Sequence, residues 1–218
     1  MASNPDVFPR PFFTIGHSTR SLDEMVALLQ EADATFIVDV RKIPRSRRYP
    51  HFNVEELPGS LHDQGVGYRH VATLGGRRGR HVAREPSVNG GWRNTSFRNY
   101  ADYALTPSFE DGLAELIAIG RQRTCAIMCA EAVWWRCHRR IIADHLLARD
   151  APVFHILGPG HIDPAALTPG AEPRDAKVVY PGDSTARATT GAAPGRRPVK
   201  TRISPSAEPN SAICASTD

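Results

Sequence analysis

Short apolar runs alternate with longer helical stretches along the first 157 residues, and this alternation constrains the fold more than any other feature. Five runs have the length and apolar composition of buried strands. They are Phe12–Ile15, Thr35–Val38, Tyr68–Ala72, Thr124–Met128 and Val153–Leu157. Alternating strands and helices indicate a mostly parallel sheet covered on both faces. The sequence therefore predicts a three-layer, Rossmann-like α/β domain.

The stretches between these runs carry helix signals. Ser21 and Glu24 form a capping box, which predicts a helix from Leu22 to about Glu31. The other predicted helices are Asn53–Gln64 with a break at Pro58-Gly59, Phe97–Leu105, Ser108–Ile119 and Cys137–Arg149. Between them, residues 74–95 are rich in Gly, Arg and Asn, which is typical of a binding loop or lid.

The strand and helix pattern ends after Leu167, and the remainder is rich in Pro, Ala, Thr, Ser and Gly. We therefore expect a domain over residues 12–168 and a disordered tail over residues 169–218. Residues 1–11 are expected to be flexible. They lack the apolar core of a signal peptide, and no apolar run of about 18 residues exists, so the expected location is the cytoplasm, without membrane contact.

Charge and cysteine content narrow the function classes. The formal net charge is only +4, but residues 36–100 contain 12 Lys or Arg against 5 Asp or Glu. Arginine favours forked contacts to phosphates or carboxylates, although a solvated arginine-rich surface explains any single residue equally well. The four cysteines are too few and too unevenly spaced for a disulfide scaffold, which fits a reducing compartment.

Polar side chains follow each predicted strand at its carboxyl end, where open parallel sheets bind ligands. The densest group lies in Cys129–Arg140, a strand-to-helix turn with two thiols, a carboxylate, an imidazole and two tryptophans. We expect an anionic small molecule or a nucleic acid to bind at this edge. The predicted binding residues are His17, Ser18, Arg41, Arg45, Ser46, Arg77, Arg98, Arg139 and Trp134.

Three interpretations of the thiols and imidazole remain open. In the first, Cys129, Glu131 and His138 react with a substrate, and Cys137 is the second candidate nucleophile. In the second, Cys129, Cys137 and His138, with or without His17, bind zinc or iron. Because an adjacent Cys-His pair is not an ordinary finger spacing, we expect no metal cofactor and keep zinc as the alternative. In the third, the cysteines only pack in the core, which suits Cys125 best.

A phosphatase-type cradle is not predicted, because it needs an arginine after Cys and five intervening residues. Counting from Cys129, that position is Trp135, and Arg136 comes one residue too late.

Several short motifs together resemble the DUF488 family, a family of domains of unknown function. They are Thr14–Ser18, Asp39–Arg41 with Pro44–Ser46, Leu74–Arg77, Phe97–Tyr103 and Cys129–Glu131 with Cys137–Arg139. The resemblance covers about residues 12–157 and implies a small cytosolic α/β domain. Loose labelling of some relatives as DNA-repair proteins points to nucleic acid. A histidine expected near Ala165 or Ala166 is missing, and His161 is the nearest one.

The leading hypothesis is therefore an enzyme acting on a phosphate-bearing nucleotide or nucleic acid. The alternatives are a non-catalytic nucleic-acid-binding module, which would use Arg45–Arg48, Arg77–Arg80 and the tryptophans, and a metal-binding protein.

Overall fold

The computed structural model describes residues 8–79 and 87–182 of the 218-residue chain. A six-stranded sheet has the spatial order β3-β2-β4-β1-β5-β6. Its strands are β1 (Phe12–Gly16), β2 (Phe36–Asp39), β3 (Gly67–His70), β4 (Cys125–Cys129), β5 (Val153–Gly158) and β6 (His161–Pro164). The first five strands are parallel, and β6 pairs antiparallel with β5 at the edge. The predicted mostly parallel sheet is confirmed; the short edge strand was not predicted.

Five α-helices connect these strands. They are α1 (Leu22–Glu31), α2 (Leu57–His62), α3 (Thr95–Tyr103), α4 (Pro107–Gln122) and α5 (Arg139–Leu147), with 3-10 turns at Pro50–Phe52, Ala72–Leu74 and Trp134–Arg136. The capping box of Ser21 and Glu24 is present at the start of α1. None of the described helices combines the length and apolarity needed to cross a membrane.

The observed bounds of α2 to α5 differ from the predicted ones by one to four residues, and two of the differences have a clear cause or consequence. Helix α2 continues through Pro58 and Gly59, because Pro58 lies in the first turn, where the missing N–H has no helical partner to lose. Helix α5 begins at Arg139 with His138 as its cap, so Cys137 precedes the helix. The Cys137 thiol is therefore presented by the connecting loop.

The side chains of β4 divide the core into two clusters. Cys125 and Ile127 pack with residues from α3, α4 and α5, whereas Ala126 and Met128 pack with residues from α1 and α2. Successive strand residues point to opposite faces of a sheet. The two helix groups therefore cover opposite faces, which confirms the three-layer α/β fold.

The site is located by the neighbouring strands β1 and β4. Strand β1 leads to α1 on one face and β4 leads to α5 on the other, so their connections diverge at the carboxyl edge. Such a divergence opens a crevice in parallel sheets. The two chains stay hydrogen-bonded beyond the strands: the N–H groups of His17 and Ser18 donate to the carbonyls of Cys129 and Ala130, both at 2.9 Å.

The ordered chain extends past the predicted domain end at residue 168. A hairpin of β7 (Glu172–Arg174) and β8 (Lys177–Val179) lies inside the stretch expected to be disordered. Val178 and Tyr180 are buried, and the Tyr180 hydroxyl donates to Asp144 of α5 at 2.7 Å. These few apolar residues find partners distant in sequence, which composition could not indicate. The other residues of the predicted tail, 183–218, and residues 1–7 of the predicted flexible N-terminus lie outside the described residues.

We predict that Gly16→Ala destabilises the domain. A Cβ at Gly16 would lie 2.7 Å from the Glu131 carbonyl carbon and 2.9 Å from the Ala132 Cα, and backbone cannot rotate away as a side chain can. We expect a loss of about 2–4 kcal/mol in the free energy of unfolding, measured by urea denaturation. Gly59→Ala in α2 is the matched control. Its Cβ would meet nothing within 4 Å, so it should be neutral or stabilising by up to about 1 kcal/mol. Equal stability of both variants would contradict the prediction.

Candidate functional site

A cleft of ≈ 740 Å³ lies at the carboxyl edge of the sheet, where β1 and β4 diverge. Loops following β1, β2, β3 and β4 contribute to its walls. Ten of the thirteen predicted site residues line it: His17, Ser18, Arg41, Arg45, Ser46, Arg77, Cys129, Glu131, Cys137 and His138. The carboxyl ends of the strands thus bring together residues more than 100 positions apart in the sequence.

Two predicted binding residues are used elsewhere. The Arg98 guanidinium donates to the Trp92 carbonyl at 3.3 Å and does not line the cleft. The Trp134 ring stacks on His155, with ring centroids 4.2 Å apart and planes at 11°, and the Arg140 guanidinium lies 5.8 Å from its centroid. Because His155 covers one face of this ring, Trp134 seals the edge of the sheet. Trp134 is not among the residues that line the cleft, and its predicted role in substrate binding stays a prediction.

Two thiols and one imidazole converge at the floor of the cleft. The Nδ1 atom of His138 lies 3.6 Å from the Cys137 sulfur and 4.0 Å from the Cys129 sulfur. Its Nε2 atom lies 2.9 Å from the Val40 carbonyl oxygen, which can only accept a hydrogen bond. The ring therefore carries hydrogen on Nε2 and turns Nδ1 toward both sulfurs.

Close packing fixes this imidazole. A Cβ on Gly76 would lie 2.7 Å from His138 Nδ1, so only glycine allows the Gly75-Gly76 backbone to pass this close to the ring. On another side, the ring of buried Tyr100 lies 4.9 Å away, centroid to centroid. Neither Gly76 nor Tyr100 was among the predicted site residues, although Gly76 belongs to the Leu74–Arg77 motif.

Arg139 is not among the residues that line the cleft, but its side chain contacts two residues that do, Glu131 and Cys137. Its side chain is buried, with 1% exposure. The Nε–H group donates to the Cys137 sulfur at 3.3 Å, and Nη2 donates to the Glu131 carbonyl at 2.5 Å. These are its hydrogen-bond partners in the described chain, and neither is a carboxylate. A buried cation needs a compensating charge, and ionisation of the Cys137 thiol would supply it.

The pKa values of the two thiols in the cleft are shifted in opposite directions. Burial acts to raise the pKa of Cys137, but a hydrogen bond from Cys129 and the charges of His138 and Arg139 hold that pKa well below its ordinary value. The pKa of Cys129 is raised, first by the hydrogen bond to Cys137 and then by burial. Cys137 is therefore the more acidic of the two thiols, and Cys129 donates a hydrogen bond to it. Cys125, inside β4, is simply buried, and burial raises its pKa to about 12, as expected for a packing residue.

Arg41 lines the opposite wall, where a carboxylate holds most of its donors. Its Nε and Nη2 groups donate to Asp39 at 2.9 and 2.5 Å, and Nη2 also reaches the Phe52 carbonyl at 2.7 Å. The Tyr68 hydroxyl donates to the same carboxylate at 2.8 Å. Most donor groups of Arg41 are therefore used in contacts within the protein. The remaining group, Nη1, lies 3.4 Å from Nε2 of His17.

His17 contributes a neutral imidazole to the cleft. Burial and then the charge of Arg41 lower its pKa to about 4, so the ring is uncharged at neutral pH. It stacks on Phe52 with centroids 4.3 Å apart. A neutral His17 can offer an anion a hydrogen bond but no charge, and its predicted role in binding stays a prediction.

Cationic side chains dominate the lining. The described residues that line the cleft include five cations, Arg41, Lys42, Arg45, Arg77 and Arg136, and one carboxylate, Glu131. Arg41 is paired with Asp39 and Arg45 with Glu55, so the excess positive charge comes mainly from Lys42, Arg77 and Arg136. Lys42 and Arg136 were not in the predicted binding set. The positive potential favours an anionic ligand and raises its local concentration.

We predict that Asp39→Asn strongly destabilises the protein. The substitution leaves the buried Arg41 guanidinium without its counterion, at a cost of about 3–5 kcal/mol in unfolding free energy. The exposed Arg45–Glu55 pair provides the control, because Glu55→Gln should cost less than about 1 kcal/mol. Chemical denaturation of both variants measures the difference, and similar losses would show that burial of the Arg41 pair has no special importance.

One protein-family model matches a large part of the chain. A family model described as domain of unknown function DUF488 matches residues 21–146. The match covers more than half of the chain and includes Arg41, Gly76, Cys129, Cys137 and His138. Comparison with curated proteins found no match, and comparison with solved structures found none either. The chain belongs to the DUF488 family.

Proposed function

We propose that this protein is an enzyme that attacks a phosphate-bearing substrate, a nucleotide or nucleic acid, with the sulfur of Cys137. One observation carries the proposal: the buried Arg139 guanidinium directs Nε–H at the Cys137 sulfur, 3.3 Å away. A cation buried against a sulfur at the floor of an open cleft has no need to be there for packing. It stabilises negative charge on that sulfur, as nucleophilic catalysis requires.

The neighbouring groups support catalytic roles. His138 Nδ1, 3.6 Å from the same sulfur, is placed to exchange a proton with Cys137 or with a leaving group. Glu131 is exposed and lines the cleft, where its carboxylate can accept a proton from water. Cys129 donates its thiol hydrogen toward Cys137 and is the less suitable nucleophile.

The cleft favours a phosphate-bearing substrate. Its volume of ≈ 740 Å³ lies within the range of about 300–1,000 Å³ that small-molecule sites occupy. Arg45, Arg77 and Arg136 are exposed around it and can present forked donors to phosphate oxygens. Ser18 and Ser46 add hydroxyl groups to the same lining.

The reaction consists of two balanced steps. Cys137 passes its proton to His138 Nδ1, and its sulfur bonds to an electrophilic atom of the substrate. The bond to the leaving group breaks, and the leaving group departs with the electron pair and takes the proton from Nδ1. Water then bonds to the same atom while Glu131 accepts its proton. The sulfur leaves with its electron pair and takes up the proton held by Glu131, so both residues return to their starting state and the net reaction is hydrolysis.

We predict that Cys137 is the reactive thiol and prefers an anionic electrophile. The measurement is the ratio of the alkylation rate with iodoacetate to the rate with iodoacetamide, in a Cys214→Ala background. We expect this ratio to be about 10-fold higher for Cys137 than for a free thiol, because the cationic lining attracts the carboxylate of iodoacetate. Arg136→Gln should reduce this preference, and inorganic phosphate should slow the labelling. Peptide mass spectrometry gives the site and rate, and Cys125 is the internal unreactive control. Labelling confined to Cys129, or no preference for iodoacetate, would contradict the proposal.

Turnover tests the enzyme itself. The full-length protein and its Cys137→Ala and Cys125→Ala variants are incubated with nucleotides and short oligonucleotides. Acid-quenched samples are examined by intact-protein mass spectrometry for an adduct on Cys137. We expect an adduct and product with the unmodified protein and with Cys125→Ala, and neither with Cys137→Ala. Product formation that survives in Cys137→Ala would overturn the mechanism.

A further inference from the structure

We infer that Cys129, Cys137 and His138 form a binding site for a thiophilic divalent metal ion, zinc above all, with one coordination position open to the cleft. Cys129 ends strand β4, and Cys137 and His138 immediately precede helix α5. In the described residues, these three side chains form a group whose donor atoms all lie within 4.8 Å of one another.

The separations match a tetrahedral ion. With zinc–sulfur bonds of about 2.3 Å and zinc–nitrogen bonds of about 2.0–2.1 Å, tetrahedral angles separate sulfur from nitrogen by about 3.6 Å. The observed distances to His138 Nδ1 are 3.6 Å from Cys137 and 4.0 Å from Cys129. The sulfur–nitrogen distances thus require only a small shift of the Cys129 side chain, and the two sulfur atoms lie within 4.8 Å of each other, compared with about 3.8 Å in a tetrahedral site.

The imidazole is already oriented as a ligand. Metal-bound histidines commonly donate the hydrogen of the other ring nitrogen to a carbonyl or carboxylate, which fixes the tautomer and aims the free lone pair. His138 has this arrangement, with Nε2 2.9 Å from the Val40 carbonyl oxygen. The packing of Gly76 and Tyr100 against the ring keeps that direction.

A neighbouring cation supports the thiolate ligands. A bound divalent ion with two thiolates and a neutral imidazole carries no net charge, and the Nε–H of Arg139 still donates to the Cys137 sulfur at 3.3 Å. Such hydrogen bonds around the ligands tune thiolate sites. The hydrogen bond from Arg139 to the Cys137 sulfur is therefore compatible with a metal-bound thiolate.

The site has three protein ligands. His17, a fourth candidate from the sequence, lines the same cleft but is not a member of the group. Glu131 is also outside the group. Three protein ligands with an open fourth position are typical of zinc sites that exchange water or other small ligands, whereas structural zinc sites use four.

Metal binding does not depend on the proposed function, but its consequence for activity does. Both sulfur atoms would donate their electron pairs to the ion, so Cys137 could no longer attack a substrate. Zinc would therefore control the thiol enzyme by occupying its nucleophile.

The test is zinc binding to the full-length chain. Protein stripped with a chelator under reducing conditions, in a Cys214→Ala background, is titrated with Zn²⁺ in competition with a chromophoric chelator. We expect one ion per chain, with affinity reduced by more than about 100-fold in each of the variants Cys129→Ala, Cys137→Ala and His138→Ala. Cys125→Ala is the matched thiol control and should bind as tightly as the background protein. Co²⁺ in place of Zn²⁺ should give the visible bands of tetrahedral coordination and a sulfur-to-cobalt charge-transfer band that is lost in either cysteine variant.

Absence of stoichiometric zinc binding, or equal binding by the Cys125→Ala and Cys137→Ala proteins, would overturn the inference. Iodoacetamide labelling separates it from the proposed function. Metal-free protein that reacts at Cys137 but binds no zinc would retain the thiol enzyme and reject the metal site. Protein that binds zinc through the three residues but does not react at Cys137 when metal-free would retain the metal site and reject the thiol enzyme. Protection of Cys137 from iodoacetamide by stoichiometric zinc is the result expected if both hold.

Discussion

The buried guanidinium of Arg139 is the interaction on which the candidate site depends. It bridges the two ends of the loop between β4 and α5, since it donates to the Glu131 carbonyl near the start and to the Cys137 sulfur near the end. A guanidinium with 1% exposure would cost several kcal/mol without partners. The loop therefore has to deliver an oxygen and a sulfur to this point, and the position of Cys137 follows from that requirement.

Arg41 and Arg139 are both buried, but only Arg139 exerts an uncancelled positive potential on the thiols. Both arginines are buried next to the cleft, Arg41 two residues after β2 and Arg139 at the first residue of α5. Arg41 meets the carboxylate of Asp39, so its charge is cancelled locally. Arg139 meets a sulfur and a carbonyl, so its positive potential acts on the thiol. The same residue type therefore stabilises the wall in one case and prepares chemistry in the other.

Features set by neighbouring residues could be predicted from the sequence. The capping box of Ser21 and Glu24 depends on residues three apart, and the structure contains it. The strand ends at His17 and Cys129 met at one edge because all parallel strands point the same way. Trp134 stacks on His155, and Arg98 donates a hydrogen bond to the Trp92 carbonyl. No local sequence pattern predicts either contact.

By itself, the sequence determined the α/β fold, the edge of the sheet that carries the polar residues, and the membership of most of the cleft. These follow from hydrophobic periodicity and strand direction, which are properties of short segments. Only the tertiary structure decided which thiol is paired with Arg139, which imidazole nitrogen faces the sulfurs, and that Gly16 and Gly76 must lack side chains. The reason is physical: charge compensation and close packing act over a few ångströms in space, between residues that can lie more than 100 positions apart in the chain.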